Sequence, residues 1–214
     1  MRYPVIIFDL DGTLLNTLDD LAASVNHAMR VCGFPEHTAA RVSRFVGNGV
    51  RVLIRRAVPE GTGEEEYARA YKAFLDHYRE HSRDQTAPYD GILELLRRLK
   101  SDGHRLAIVS NKIDFAVKAL REKFFDGLID IAVGDSEMMR TKPEPDMVYK
   151  AMRELGANPG ECIYVGDTDV DLATAKNSGM PCISVSWGFR QRAELEDYGA
   201  KMIADTPGDI LKFV

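Results

Sequence analysis

The stretch Val5-Ile6-Ile7-Phe8-Asp9-Leu10-Asp11-Gly12-Thr13-Leu14-Leu15 sets four consecutive apolar residues against two acids and a glycine. An unbroken, β-branched run of that length suits a strand buried on both faces, as in a parallel sheet covered by helices. Residues two apart in extended backbone project to the same side, so Asp9 and Asp11 can share one site while Leu10 turns into the core. Two carboxylates in one pocket repel unless a cation or a proton intervenes, which points to a hard metal or to one acid held protonated. Gly12 then permits a tight turn away from the strand. An acidic turn that merely ends a strand has the same three residues, so the rest of the chain must decide.

Working outward, Leu106–Val109, Cys162–Val165 and Cys182–Val185 repeat the pattern of an apolar run stopped by Gly, Asp, Asn or Ser. Helical periodicity fills the gaps: Ile92, Leu95, Leu96 and Leu99; Val117, Leu120 and Phe124; Val148, Ala151, Met152 and Leu155; Leu172, Ala173 and Ala175. Gly33, Gly103, Gly156 and Gly179 each follow an apolar stretch, where a left-handed cap residue is wanted. Strand alternating with helix predicts an α/β fold with a Rossmann-like parallel sheet core. Residues 16–86 break the alternation and read as an inserted all-helical cap domain, leaving 1–15 and 87–214 as the core. Its stripes are Leu18, Leu21, Ala22, Val25 and Met29 behind Thr17 as N-cap; Val50, Leu53, Ile54 and Ala57; and Tyr67, Tyr71, Phe74, Leu75 and Tyr78. Gly61–Glu66 and His81–Thr86 read as solvated turns.

The chain has 214 residues, 45% of them hydrophobic and 29% charged, so it can bury a sizeable core, and extensive disorder is a poor fit. With 33 acids against 28 basic residues and a net charge of −5, a nucleic-acid footprint is not expected. No apolar run approaches the ~20 residues that span a bilayer. The residues before Asp9 lack the form of a secretory signal, and a cytoplasmic location follows as an expectation. Cys32, Cys162 and Cys182 are odd in number, widely spaced and set among apolar residues, as reduced, buried thiols are. The five histidines do not accompany the acids, which argues against zinc.

Open α/β sheets bind ligands at the carboxyl ends of their strands. The residues there are Ser110-Asn111-Lys112 and Gly166-Asp167-Thr168-Asp169-Val170-Asp171, with Lys142-Pro143-Glu144-Pro145 in a connecting loop. Singly, Ser110, Asp169 or Asp171 can cap a helix, and Lys142 can be a solvated loop lysine. Together they supply acids for a metal, a hydroxyl and a positive charge, the parts that hold and transfer a phosphoryl group. Trp187-Gly188-Phe189 reads as structural or as a border of the pocket.

Asp9-Leu10-Asp11-Gly12-Thr13, Ser110, Lys142-Pro143 and Gly166-Asp167-x-x-x-Asp171, in that order, resemble the four motifs of the haloacid dehalogenase superfamily. The cap segment Phe45-Val46-Gly47-Asn48-Gly49-Val50 is similar to that of the phosphoglycolate phosphatases within it. The resemblance implies that Asp9 is a nucleophile forming an aspartyl-phosphate and that Asp11 is the acid and base. It implies Mg²⁺ held by Asp9, the Asp11 carbonyl and Asp167, with Asp171 bound through water or beyond the ligands, and Ser110 and Lys142 gripping phosphoryl oxygens. Thr13 and Asn111 would line the substrate pocket. Gly47, Asn48, Gly49 and Arg51, with Arg44, would read a small anionic leaving group, and closure about hinges at Leu15–Thr17 and Thr86–Tyr89 would exclude water. The expected partner is a small phosphate ester, and the expected state a monomer or homodimer. Alternatives are a phosphomutase of the β-phosphoglucomutase type, a pyrophosphatase or nucleotidase of the same superfamily, and a phospho-accepting signalling module, which is smaller and needs no cap.

Overall fold

In a computed structural model describing residues 2–136 and 138–214, the opening run is β1 (Val5–Phe8), followed by β2 (Leu15–Asn16). Helices α1 (Leu18–Cys32), α2 (Ala39–Ser43), α3 (Gly49–Ala57) and α4 (Glu64–His81) come next, and β3 (Ala87–Pro88) leads back. The chain then alternates: α5 (Ile92–Ser101), β4 (Arg105–Ile113), α6 (Asp114–Phe125), β5 (Ile131–Asp135), α7 (Asp146–Leu155), β6 (Cys162–Gly166), α8 (Asp169–Asn177), β7 (Cys182–Val185), α9 (Arg192–Asp197) and β8 (Met202–Ala204). Two units result, residues 1–15 with 88–214 and residues 16–87, so Ala87 falls with the helices.

In the first unit the described strands form a parallel sheet in the order β5-β4-β1-β6-β7-β8. β1 lies at its centre and shows why its run has no polar alternation. Ile6 and Phe8 enter one core layer with Ile92, Leu96 and Leu120, while Val5 and Ile7 enter the opposite layer with Met147, Val148 and Ala151. The chain passes from β1 to β4 on one side and on to β6 on the other, so the strand order reverses at β1. A crevice at the carboxyl ends follows there, where such sheets hold ligands.

Several local expectations shift. β5 and β8 are strands whose apolar runs are only three residues long. Of the stripe Leu172, Ala173 and Ala175, α8 buries only Ala175, together with Val170, Asp171 and Thr174, because half of its inner face is polar. Phe125, not Phe124, is the fully buried aromatic of α6. All three cysteines are free thiols, yet Cys32 and Cys182 are only half-buried.

The helical unit has its own core of Leu21, Val25 and Met29 from α1, Val42 from α2, Leu53 and Ile54 from α3, and Ala70, Phe74 and Tyr78 from α4. Tyr67 and Tyr71 are half-buried beneath arginines, with the Arg55 guanidinium 3.7 Å from the Tyr67 ring centre. Thr17 precedes α1, but its hydroxyl caps nothing and has no hydrogen-bond partner. The segment 81–86 is not a solvated turn throughout. Buried Asp20 accepts from the amides of Gln85 at 3.0 Å and Thr86 at 2.9 Å and from the Thr86 hydroxyl at 2.7 Å. Asp20→Ala strands these donors and is expected to destabilise the chain by about 2–3 kcal/mol in urea unfolding, with Asp20→Asn milder. No helix among the described residues is long and apolar enough to cross a membrane.

Candidate active site

The carboxyl end of β1 delivers Asp9, which is 7% exposed. β6 ends at Gly166 and hands on to Asp167, and the first turn of α8 carries Asp171, both with no exposed surface. Carboxylate oxygens of Asp9, Asp167 and Asp171 lie within 4.8 Å of one another. Lys142, 3% exposed, brings its Nζ to 2.8 Å from Asp9 Oδ1 and 2.8 Å from Asp171 Oδ1, and donates to the Tyr164 hydroxyl at 3.1 Å. That hydroxyl donates in turn to the Val109 carbonyl at 3.2 Å. One ammonium thus stands among three buried carboxylates, leaving an excess of negative charge that a cation can balance. The donor set is all oxygen, which fits a hard divalent ion such as Mg²⁺.

Asp167 and Asp171 are also held from behind. Thr13 donates its hydroxyl to Asp167 Oδ1 at 3.0 Å, and the Phe189 amide donates to Asp167 Oδ2 at 2.7 Å. Asp171 accepts from the Thr168 amide at 3.0 Å and hydroxyl at 2.7 Å, closing the start of α8. Three glycines leave room for this packing. A Cβ on Gly166 would sit 2.3 Å from Asp171 Cγ, and one on Gly12 or Gly188 would sit 2.4 Å from Asp167 Oδ2. Gly12 also has φ +87°, a left-handed conformation that a side chain would strain. Gly188→Ala is therefore expected to cost about 1–3 kcal/mol and to weaken divalent-ion binding, read by thermal unfolding and ion titration.

Burial pushes the Asp9 carboxyl up to about 7, against the pull of Lys142 and with the help of Asp171 and Asp11. Burial and the charges of Asp171 and Asp9 likewise hold Asp167 well above the usual carboxylate range. Burial works against the Lys142 ammonium, but Asp171 and Asp9 outweigh it and hold its pKa well above that of a free lysine. The sign for stability is fixed by the acid. Folded Asp9 binds its proton more tightly than the unfolded chain does, so its contribution is complete below its ordinary value of 3.8 and is lost as pH rises through about 7. In EDTA, Tm is expected to fall between about pH 5 and pH 8 more for the native chain than for Asp9→Asn, and Mg²⁺ is expected to raise Tm more at the upper end.

The other expected residues distribute unevenly. Asp11 turns to Lys112, whose Nζ donates to Asp11 Oδ1 at 2.6 Å. Ser110, Asn111 and Lys112 lie inside β4, which continues past Val109 to Ile113 with a break in register. Ser110 is buried, and its Oγ accepts from the Lys112 amide at 3.3 Å. Asn111 holds the lysine loop: its Nδ2 donates to the Lys142 carbonyl at 3.0 Å and its Oδ1 accepts from the Lys142 amide at 2.7 Å. Thr13 has no exposed surface, and its hydroxyl is given to Asp167. Asp169 stays largely exposed, 3.9 Å from Arg190. In the helical unit, Gly47 and Gly49 adopt positive φ around Asn48, whose Oδ1 accepts from Arg56 Nη2 at 3.0 Å, and exposed Arg51 stacks over Tyr71 at 5.2 Å.

Three contributors carry weak sequence signals. Lys112 lies two residues beyond Ser110 and so on its side of an extended run, which is legible. Tyr164 inside an apolar strand demands a buried partner for its hydroxyl. The Phe189 amide acts through backbone and leaves no side-chain mark, while Trp187 anchors the same loop by donating to the Thr13 carbonyl at 3.0 Å.

The family described as haloacid dehalogenase-like hydrolase matches residues 6–185. A phosphoglycolate phosphatase of Aquifex aeolicus is 32% identical over 98% of this chain and 96% of its own. An N-acetylmuramic acid 6-phosphate phosphatase of Pseudomonas aeruginosa is 30% identical over 99% of this chain and 94% of its own. A crystal structure from Lactobacillus delbrueckii subsp. bulgaricus superposes with a TM-score of 0.95 at 35% identity, covering 100% of this chain and 98% of that one.

Proposed function

Since the chain belongs to the haloacid dehalogenase-like hydrolases and is a phosphoric monoester hydrolase among them, we propose that its reaction is Mg²⁺-dependent hydrolysis of 2-phosphoglycolate through an aspartyl-phosphate. The observation that supports this most directly is the buried Asp9–Lys142 contact at 2.8 Å, beside an Asp11 turned toward a second ammonium. Lys142 favours the ionised Asp9 that attack requires and fixes its direction. An Asp9 oxygen bonds to phosphorus as the bond to the leaving oxygen breaks, and Asp11 gives that oxygen its proton. Water then attacks phosphorus, Asp11 takes the proton from the water, and the Asp9 carboxylate leaves with inorganic phosphate released. Ser110 and Lys142 bind phosphoryl oxygens. Asp9, Asp167 and the Asp11 carbonyl hold Mg²⁺; Asp171, bonded to Lys142 and Thr168, acts from behind them. When bound, the ion offsets the repulsion between anionic nucleophile and anionic substrate.

The reading is tested by phosphate release from 2-phosphoglycolate, sugar phosphates including N-acetylmuramic acid 6-phosphate, nucleotides and pyrophosphate, in Mg²⁺ and in EDTA. The expected result is a clear preference for 2-phosphoglycolate, abolished by chelation. A preference for another ester overturns the substrate, and phosphorylation without release transfers the chain to the mutase or signalling reading.

A further inference from the structure

We propose that His27, His77 and His81 form a binding site for a divalent transition-metal ion, wholly within the helical unit and separate from the carboxylate cluster. The core cluster is made of Asp9, Asp167 and Asp171 alone, whereas three of the chain's five histidines gather with one another. His27 comes from α1, and His77 and His81 stand one turn apart on α4, which packs along α1. Residues four apart on a helix share a face, and this is the spacing with which two imidazoles of one helix hold zinc. The His77 ring centre lies 4.4 Å from that of His27 and 4.3 Å from that of His81, and all three residues are half-buried.

The ring nitrogens of the α4 pair are committed as those of metal-ligating histidines are. Such a histidine gives one nitrogen to the ion and donates the proton on the other to an oxygen, which fixes its tautomer. His81 Nδ1 lies 2.8 Å from Asp84 Oδ2. An ionised carboxylate only accepts, so Nδ1 carries the proton and Nε2 of the neutral ring keeps its lone pair. His77 Nδ1 lies 3.0 Å from the buried Ser24 Oγ, a hydroxyl that accepts a proton in the same way. Nε2 of neither ring has a hydrogen-bond partner among the described residues. Imidazoles suit Zn²⁺, Ni²⁺ or Cu²⁺, while the all-oxygen cluster of the core suits Mg²⁺, so the two sites take different ions. In the structure the three rings are stacked and their nitrogens do not converge. Binding turns the rings from mutual contact toward one centre, by rotation of half-buried side chains on helices that stay in place. The ion then clips α1 to the last turn of α4 and stabilises the helical unit.

The test titrates Zn²⁺ calorimetrically into tag-free Asp9→Asn saturated with Mg²⁺, in which the core cluster is one carboxylate short and otherwise occupied. One binding event is expected, weakened about tenfold or more by His77→Gln, by His81→Gln and by His27→Gln. Asp84→Ala, a surface change that leaves all three rings in place, is expected to weaken it by about tenfold through loss of the Nδ1 acceptor. Zn²⁺ should raise the Tm of Asp9→Asn and leave that of Asp9→Asn with His81→Gln unmoved. Cu²⁺ in place of Zn²⁺ reads the donors directly, because bound nitrogen splits its paramagnetic resonance lines and oxygen does not. No binding event, or one that His77→Gln, His81→Gln and Asp84→Ala all leave unmoved, overturns the proposal and leaves the rings as packing between α1 and α4.

Discussion

Asp9→Asn is expected to lower phosphate release by about 10⁴-fold or more while the protein stays folded. The amide keeps the shape of the carboxyl, so the packing at the end of β1 persists, but it cannot form the acyl-phosphate bond. Stability moves the other way from activity. Burial, Asp171 and Asp11 all oppose an ionised Asp9, which is why its carboxyl is pushed up to about 7. A neutral side chain removes that opposition, so the variant in EDTA at neutral pH should unfold at the same temperature as the native chain or higher. The two measurements are phosphate release and thermal unfolding on one preparation. Acid-quenched native enzyme should carry a phosphoryl adduct on the peptide containing Asp9, and release within about tenfold of native by the variant would falsify the nucleophile assignment.

Lys142→Met should cost both function and fold. The ammonium is the compensating charge that Asp9 and Asp171 share, each at 2.8 Å. Removing one partner of a buried pair costs about 3–5 kcal/mol because it leaves the other charge unpaired. Activity should fall about 10²–10³-fold, since the nucleophile loses its orienting charge and the phosphoryl group a donor. The stability loss should be larger near pH 8 than near pH 5, where the carboxyls can take up protons instead. Mg²⁺ should return part of it. Combining Lys142→Met with Asp171→Asn should recover stability relative to Lys142→Met alone, a coupling that urea unfolding of the four-member cycle measures. Additive losses would mean that Asp171 does not depend on this ammonium.

The fold was legible where burial is complete and obscure where it is partial. β1, β6 and β7 match their apolar runs because central strands covered on both faces leave little choice of residue. β5 ends in Gly134-Asp135 and β8 has three residues at the sheet edge, so each shows an apolar run of only three residues. β4 outlasts its apolar stretch because Ser110, Asn111 and Lys112 are buried by site contacts rather than by a hydrophobic core. The same distinction governs the site. Acids following strand ends are conspicuous, and the structure gathers Asp9, Asp167 and Asp171 into one cluster. Which partner each polar group takes is set in three dimensions. Thr13 is adjacent in sequence to the acidic turn but belongs to Asp167, and Asn111 is adjacent to Ser110 but belongs to the Lys142 backbone.

The Thr13–Asp167 bond joins residues 154 positions apart, and it has a consequence for how the molecule is made. Closing so large a loop is entropically costly and pays back only when β1 and β6 have paired across the sheet. The helical unit, by contrast, is one continuous segment, 16–87, so every contact within it closes a loop less than half as long. During refolding from denaturant its helices should therefore form early, while the carboxylate cluster is completed among the last events. Regained helical signal should run ahead of regained phosphate release, and catalytic competence should report the finished sheet rather than any partly folded state.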